Sequence, residues 1–294
     1  MGSAADFADA RARAAALAGR TSFRIGGVPE LLFEPATVAE VAEVVVACKA
    51  ARVPLRVLGG GCNLLVADGP LPGAVLATTR LRHERVLDDR VEVGAGGSFP
   101  GLVSRAAELS IPTLSGCPGI PGQVGGVVAM NAGGRFGYVA DALLEVFAVD
   151  LDGRPFARRV EPGDLGYRTS VFLGAAVVVG AAFRRDPSLD RDAERRRFLE
   201  ASAWKRSTQP MSAASAGCVF KNPPGGRSAG AIIDAAGLKG ERVGGAMVSP
   251  VHANYIVNDG DATFADVEAL IGRVRERVAA QTGVHLELEV QVWR

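Results

Sequence analysis

Glycine places the first constraint on this chain. Its 37 glycines fall into groups, at Gly59 to Gly61, Gly94 to Gly97, Gly116 to Gly126, Gly133 to Gly134 and Gly244 to Gly245. Grouped glycines let backbone approach another backbone or a ligand more closely than any side chain allows. Such loops need rigid supports, and the apolar periodicity between the groups predicts them. TVAEVAEVVVACKAA, Thr37 to Ala51, opens with a Thr37/Glu40 capping box and continues at helical spacing. PLRVLGGGCNLLVAD reads as strand, glycine turn, strand, and RVEVGAG, Arg90 to Gly96, as a short alternating strand. PGLVSRAAELS after it is predicted to be a helix with proline in its first turn. LLEVFAVDLDGRPFARRV is a hairpin turning at Asp152 and Gly153, and AAVVVGAAF, Ala175 to Phe183, a strand buried on both faces. DRDAERRRFLEASAWKR is a charged helix, either a solvated face or a connector between domains. The chain closes with a helix from Thr263 to Gln281, capped by Thr263 and Asp266, and an alternating strand, HLELEVQVW. The mixture lacks a regular βαβ rhythm, so the expected class is α+β, with a composition shift near residue 200 as a domain boundary.

At 294 residues and 48% hydrophobic content the chain can bury a sizeable core in two or three domains. Lys plus Arg total 33 against 32 Asp plus Glu, so no global field recruits nucleic acid or an anionic membrane. A charged ligand must be held locally. Of the four lysines, Lys49, Lys205, Lys221 and Lys239, three lie in the last third, which suits either a small anionic site or an ordinary solvated surface. Cys48, Cys62, Cys117 and Cys218 form no CxxC pair and have only His83, His252 and His285 to join them, so no metal site is expected. The opening MGSAADFADARARAAALAG is read as an amphipathic helix rather than a signal peptide, and no charge-free stretch reaches membrane-spanning length. A cytoplasmic protein with reduced thiols is expected.

The glycine loops exclude two common nucleotide sites. No Gly-Lys pair occurs, so there is no Walker A loop. The pattern GxGxxG fails twice, because Leu64 follows Gly59 and Gly61 where the third glycine belongs, and Phe99 follows Gly94 and Gly96. LGGGCNLLV can still form an anion nest from consecutive N–H groups. GCPGIPGQVGGVVAMNAGG alternates Pro118 and Pro121 with glycine, giving a rigid loop shaped to lie against a flat or phosphorylated ligand.

The motifs RIGG, LGGGCNLLV, GIPGQVGG, MNAGG, GYRTSVF, SAGCVFKNP, AGLKG, HANYIVN and LELEV run in this order from Arg24 to Val290. In that order they resemble the UDP-N-acetylenolpyruvoylglucosamine reductase (MurB) family. The resemblance implies an FAD-binding domain of the p-cresol methylhydroxylase type, with subdomains at 1–78 and 79–200, followed by a substrate domain at 201–294. It implies non-covalent FAD, NADPH as co-substrate, and a cytoplasmic step of peptidoglycan precursor synthesis, with the protein a monomer or weak oligomer. Only four residues separate Phe172 from Val177, so the chain is similar to the shorter members that lack an inserted substrate-closing loop. By the same resemblance, Leu58, Gly59, Gly60, Gly61, Cys62, Asn63 and Leu64, with Gly119, Gly122, Gly125, Gly126, Asn131 and Ala132, are the candidate FAD contacts.

The implied chemistry reduces an enolpyruvyl ether to a lactyl ether: hydride reaches C3 through the flavin, and C2 takes a proton. It therefore needs a cation for the charge spreading into the carboxylate, and an acid. Arg168 in GYRTSVF matches the family's arginine, and a guanidinium fork suits a carboxylate gaining charge. Glu289 in LELEV matches its glutamate, acting protonated or through a water, with Glu287 the competitor two residues earlier. Cys218 stands where the family most often has a proton-donating serine. A thiol releases a proton more readily than an alkanol, but a thiolate would have none to give. Alternation puts Cys218, Phe220 and Asn222 on one strand face and Lys221 on the other. Lys205, Gln209, Lys221, Asn222, His252 and Asn254 are the candidate substrate contacts, with Arg206 near them, and His252 is equally a structural histidine. The alternatives are a flavin oxidase of the same fold, which would tether FAD covalently, and a nucleotide binder that has lost catalysis.

Overall fold

The computed structural model describes residues 15–294. These form two compact units, each assembled from separated stretches of chain. The first contains Glu30–Gly60 and Gly73–Lys205, the second Ala15–Pro29, Gly61–Pro72 and Arg206–Arg294. Most of the N-terminal helix expected from the sequence lies outside the described residues, and Leu17–Arg20 is a short 3-10 turn.

In the first unit the helix Val38–Ala51 buries Val41, Val44, Val45 and Cys48. Thr37 Oγ1 accepts from the Glu40 amide, but Glu40 Oε2 accepts from the Ala36 amide, so the expected capping box is not reciprocal. The helix packs beside Leu55–Leu58, which pairs in parallel with the strand Leu71–Ala77. A second sheet has five antiparallel strands in the order Pro155–Arg159, Leu143–Asp150, Ala176–Arg184, Arg90–Gly94 and Glu84–Val86.

The strand Ala176–Arg184 is buried on both faces, as its unbroken apolar run predicts. Val177 and Val179 face the core shared with the helix Val38–Ala51. Val178, Ala181 and Phe183 face another core, built with Phe99, Val124 and Val128. The change of parity after Val178 coincides with a register shift between Val178 and Gly180, where an extra residue turns the following side chains over. The hairpin joining Leu143–Asp150 to Pro155–Arg159 turns at Gly153, whose φ of 78° and N–H bond to the Asp150 carbonyl fit the expected turn.

The helix expected over PGLVSRAAELS is shorter than its pattern. It covers Phe99–Ser104, capped by Ser98, and gives way to turns that end at Ser110 with φ 57°. Here Ile111 N–H bonds the Ala106 carbonyl, and Ile111 is fully buried, so burial of the apolar end outweighs helical propensity.

In the second unit the helix Phe264–Thr282 packs Val267, Leu270, Ile271, Val274 and Val278 into one core with Phe220, Ile233 and Val248. Its capping box is complete: Thr263 Oγ1 accepts from the Asp266 amide and Asp266 Oδ2 from the Thr263 amide. The strand after the glycine turn, Leu64–Val66, pairs in parallel with the end of the chain, Gln291–Trp293.

HLELEVQVW is not one strand. Leu288 bridges Phe220, and then the amides of both Glu289 and Val290 donate to the Val219 carbonyl, at 2.8 and 3.3 Å, before regular pairing resumes at Gln291. This doubling on one acceptor has the hydrogen-bond pattern of a bulge, which re-aims the side chain it carries.

Removing the cap with Thr263→Ala should cost about 1 kcal/mol of stability, read as a lower denaturant midpoint at unchanged slope.

Candidate active site

The segment carrying Cys218 is held from two sides within the second unit. Val219 N–H donates to the Asn254 carbonyl at 2.8 Å, and Lys221 N–H to the Glu287 carbonyl at 2.9 Å. Between them the Asn254 side chain takes both backbone groups of Phe220: Oδ1 accepts from its N–H at 3.0 Å and Nδ2 donates to its carbonyl at 2.8 Å. Asn254 is buried, and both its side-chain polar atoms are spent on this strand. It is therefore built to hold the strand.

Cys218 itself is half-buried and bridges Tyr255, while Glu289 is half-buried on the neighbouring segment, tied through its amide to Val219. The fold thus brings Cys218 and Glu289 onto adjacent strands. Asn63 Nδ2 donates to the Glu289 carbonyl at 3.0 Å, adding a second tie from the glycine-loop segment. Glu287, the competing carboxylate, is exposed and sits 3.8 Å from Lys221 Nζ in a surface ion pair. Alternation holds only partly, since Val219 and Phe220 are both buried.

His252 and Gln209 frame the same strand. His252 Nδ1 accepts from the Asn254 amide at 3.2 Å, which places the proton of a neutral ring on Nε2. Its ring packs edge-on against Tyr255 with centroids 4.9 Å apart, and Tyr255 Oη donates to Gln209 Oε1 at 3.2 Å. Asn222 Oδ1 accepts from the Ala229 amide, fixing the start of the helix Ala229–Ala235.

Burial pushes the His252 pKa below its ordinary value of about 6.5. The unfolded chain therefore takes up a proton near 6.5 that the folded chain binds only at lower pH. The resulting stabilisation is complete above that pH and is lost as pH falls below it. Comparing the stability of the parent with His252→Gln across pH 5 to about 8 should show this slope in the parent alone.

Arg168 and Lys205 belong to the first unit. Arg168 occupies the second position of a two-residue turn between Leu165–Gly166 and Thr169–Ser170, with φ 57°. Its guanidinium carbon lies 5.1 Å from the centroid of the Tyr167 ring. A non-glycine residue in the left-handed region is uncommon and concentrates at functional positions.

The FAD candidates of the first unit meet backbone to backbone. A Cβ on Gly60 would lie 2.8 Å from Gly122 Cα, so only glycine permits this approach. The helix Val124–Ala129 that follows is seated on the Gly94 to Gly97 group, with Val124 N–H bonded to the Gly97 carbonyl and Gly125 N–H to that of Ala95. Gly61 to Leu64 continue into the second unit, where Gly61 at φ 63° passes so close to Arg20 that a Cβ would strike its carbonyl.

Gln123, which the sequence reading did not single out, caps nothing in that helix. Its Oε1 is buried without a hydrogen-bond partner, 3.9 Å from the place a Gly59 Cβ would occupy. Hydroxyl or ring N–H donors of a flavin nucleotide would satisfy such an acceptor, so the loops fit the cofactor that the sequence implies. Its signal was the single amide side chain in GIPGQVGG. Asn131, also a cofactor candidate, uses its amide inside the chain: Nδ2 donates to the Gly166 carbonyl at 2.9 Å and Oδ1 accepts from the Ala140 amide at 3.3 Å.

Residues 29–156 match the FAD binding domain family, and residues 209–293 match the C-terminal domain of UDP-N-acetylenolpyruvoylglucosamine reductase. The reductase of Heliobacterium modesticaldum is 41% identical over 92% of this chain and 87% of its own length. That of Moorella thermoacetica is 41% identical over 94% and 91%. The crystal structure of the MurB enzyme from Thermus caldophilus superposes with a TM-score of 0.82, 38% identity and coverage of 97% and 99%. The chain belongs to the UDP-N-acetylenolpyruvoylglucosamine reductase family. Its α+β fold, an FAD-binding domain followed by a MurB-type C-terminal domain, is the one the motif order implied.

No group of three metal-ligating side chains occurs among the described residues, nor does any helix long and apolar enough to cross a membrane. For the cradle, Gly60→Ala should give folded protein with little bound flavin, measured as the ratio of flavin to protein absorbance after purification.

Proposed function

We propose that this chain reduces UDP-N-acetylenolpyruvoylglucosamine to UDP-N-acetylmuramate with NADPH, as a cytoplasmic FAD enzyme of peptidoglycan precursor synthesis. The observation that carries the reading is the extent of the match to MurB enzymes, about two-fifths identity and a shared fold over nearly the whole chain. Arg168 and Glu289 match the family's arginine and glutamate, and Cys218 stands where the family most often has serine. The functional division is into FAD subdomains at 1–78 and 79–200 and a substrate domain at 201–294.

The glycine loops around Gly59 to Leu64 and Gly119 to Ala132 would hold FAD, Asn131 through its backbone because its carboxamide is used within the chain, and the bound flavin would supply hydride transfer between NADPH and C3 of the enolpyruvyl group. The chain supplies the rest. Gly60 and Gly122 let the two loops pack backbone to backbone and so shape the cradle, and Gln123 Oε1 accepts a cofactor donor. Arg168 pairs with the substrate carboxylate as charge spreads into it, and its fixed fork needs no reorganisation when that charge develops. Cys218 Sγ gives its proton to C2 and regains one from solvent. Glu289 lies on the segment beside Cys218, where a protonated carboxyl, or a water it orients, donates to the same developing anion without repelling it.

Lys205, Gln209, Lys221, Asn222 and the Nε2–H of His252 contact the UDP-sugar. Asn254 contributes by fixing the backbone at Phe220. A lysine ammonium suits the diphosphate as a compact point charge with three donors.

The test compares NADPH oxidation with and without UDP-N-acetylenolpyruvoylglucosamine in the parent, Cys218→Ser and Cys218→Ala. Stimulation by the substrate is expected in the parent and largely kept in Cys218→Ser. Cys218→Ala should lose about a hundredfold or more, the scale of a missing general acid. Iodoacetamide should inactivate the parent and spare Cys218→Ser. A parent carrying alkylated Cys218 at full activity would overturn the role of the thiol, and failure of the substrate to stimulate NADPH oxidation would overturn the reaction.

A further inference from the structure

The hairpin that carries Arg168 is too small to hold its own shape. Each of its strands has two residues, Leu165–Gly166 and Thr169–Ser170, and an isolated hairpin is marginal even at greater length. Its turn also keeps Arg168 in the left-handed region at φ 57°, which a short hairpin cannot enforce alone. The ordering must come from outside.

Three ties supply it. Asn131 Nδ2 donates to the Gly166 carbonyl at 2.9 Å, one residue before the turn. Ser170 Oγ donates to the Ala129 carbonyl at 2.8 Å, one residue after the paired end of the turn. At the base, Val171 N–H bonds the Asp164 carbonyl, and the Asp164 carboxylate accepts from Arg158 Nε at 3.0 Å and Nη2 at 2.5 Å and from the Glu161 amide. Two of these ties converge on the end of the helix Val124–Ala129 that leaves the candidate FAD loop.

Asn131 fits this position for two reasons. It is itself left-handed, with φ 41°, a conformation asparagine tolerates better than most residues. It is also 5% exposed, and its carboxamide offers the donor that Gly166 needs and the acceptor that the Ala140 amide needs. An aspartate would keep the shape and the acceptor but set a carboxylate oxygen against the Gly166 carbonyl.

We propose that Asn131 is a positioning residue: it locks the 165–170 hairpin to the end of the FAD loop and so fixes the Arg168 guanidinium at one place in the first unit. The inference rests on the reading of Arg168 as the cation that meets the substrate carboxylate. Displacing such a group by an ångström can cost about a hundredfold in rate. Coupling the hairpin to the cofactor loop sets both by one packed segment.

The test uses the flavin-loaded enzyme and measures its two half-reactions separately, with Asn131→Asp, Ser170→Ala, Arg168→Lys, Arg168→Ala and the Asn131→Asp/Arg168→Lys double variant. In Asn131→Asp, flavin content and reduction by NADPH should stay within about twofold of the parent, while reoxidation by the enolpyruvyl substrate slows roughly ten- to a hundredfold. Arg168→Lys should cost much less in that background than in the parent, because the fork is already misplaced. Amide hydrogen exchange at Tyr167 and Arg168 should quicken. Should Asn131→Asp fail to fold, Ser170→Ala, which removes only the Ala129 tie, is expected to show the same split at smaller size.

Reoxidation at the parent rate in a folded Asn131→Asp or, in its absence, in Ser170→Ala would overturn the proposal. So would loss of flavin with no further defect in the flavin-loaded fraction, which would make Asn131 a cofactor contact. Arg168→Ala separates the two layers. If it reoxidises normally, the reading of Arg168 itself has failed; if it does not while Asn131→Asp does, only the positioning role has failed.

Discussion

Much of the second unit depends on how one buried amide treats one short strand. Asn254 occupies both backbone groups of Phe220, and its own carbonyl receives Val219 N–H, so the strand from Cys218 to Lys221 has a single register. A slip by one residue would turn Cys218 away, because strand side chains alternate. The same strand's other edge receives the chain end, where Glu289 and Val290 share the Val219 carbonyl. Cys218 and Glu289, 71 positions apart in sequence, thus lie on adjacent segments joined by backbone bonds.

The first unit solves the corresponding problem with glycine. Gly60 and Gly122 bring two loops together with no side chain between them, and the Gly94 to Gly97 group seats the helix that begins at Val124. Where the chain needs polarity rather than closeness, it uses single amides. Gln123 leaves a buried acceptor in the cradle, and Asn131 ties the cradle's far end to the hairpin of Arg168. Rigid loops of this kind cost little reorganisation when a cofactor binds, which is the physical sense of preorganisation.

Most of the architecture was legible in the residues. The unbroken run from Ala176 to Phe183 announced a strand with two buried faces, and Thr263 with Asp266 announced a helix that begins there. What misled was local pattern overruled by burial or by pairing from afar. HLELEVQVW alternates as one strand should, yet the Val219 carbonyl draws two successive amides and breaks it. Periodicity carried PGLVSRAAELS too far, because Ile111 is buried by a turn rather than by helix. The motif order identified the family, but the roles of Asn131 and Asn254 could not be read from it. An asparagine in a motif is as well suited to holding backbone as to holding ligand, and only its partners decide.

Under the proposed function, one flavin links NADPH to the enolpyruvyl substrate. The most direct measurement is anaerobic absorbance of the flavin-loaded protein near ~450 nm, a band of the oxidised cofactor, after NADPH and then after UDP-N-acetylenolpyruvoylglucosamine. Bleaching by NADPH followed by return of colour on addition of the substrate is the predicted result. Bleaching with no return would contradict the account, since the chain would then reduce its flavin without passing the electrons to this substrate.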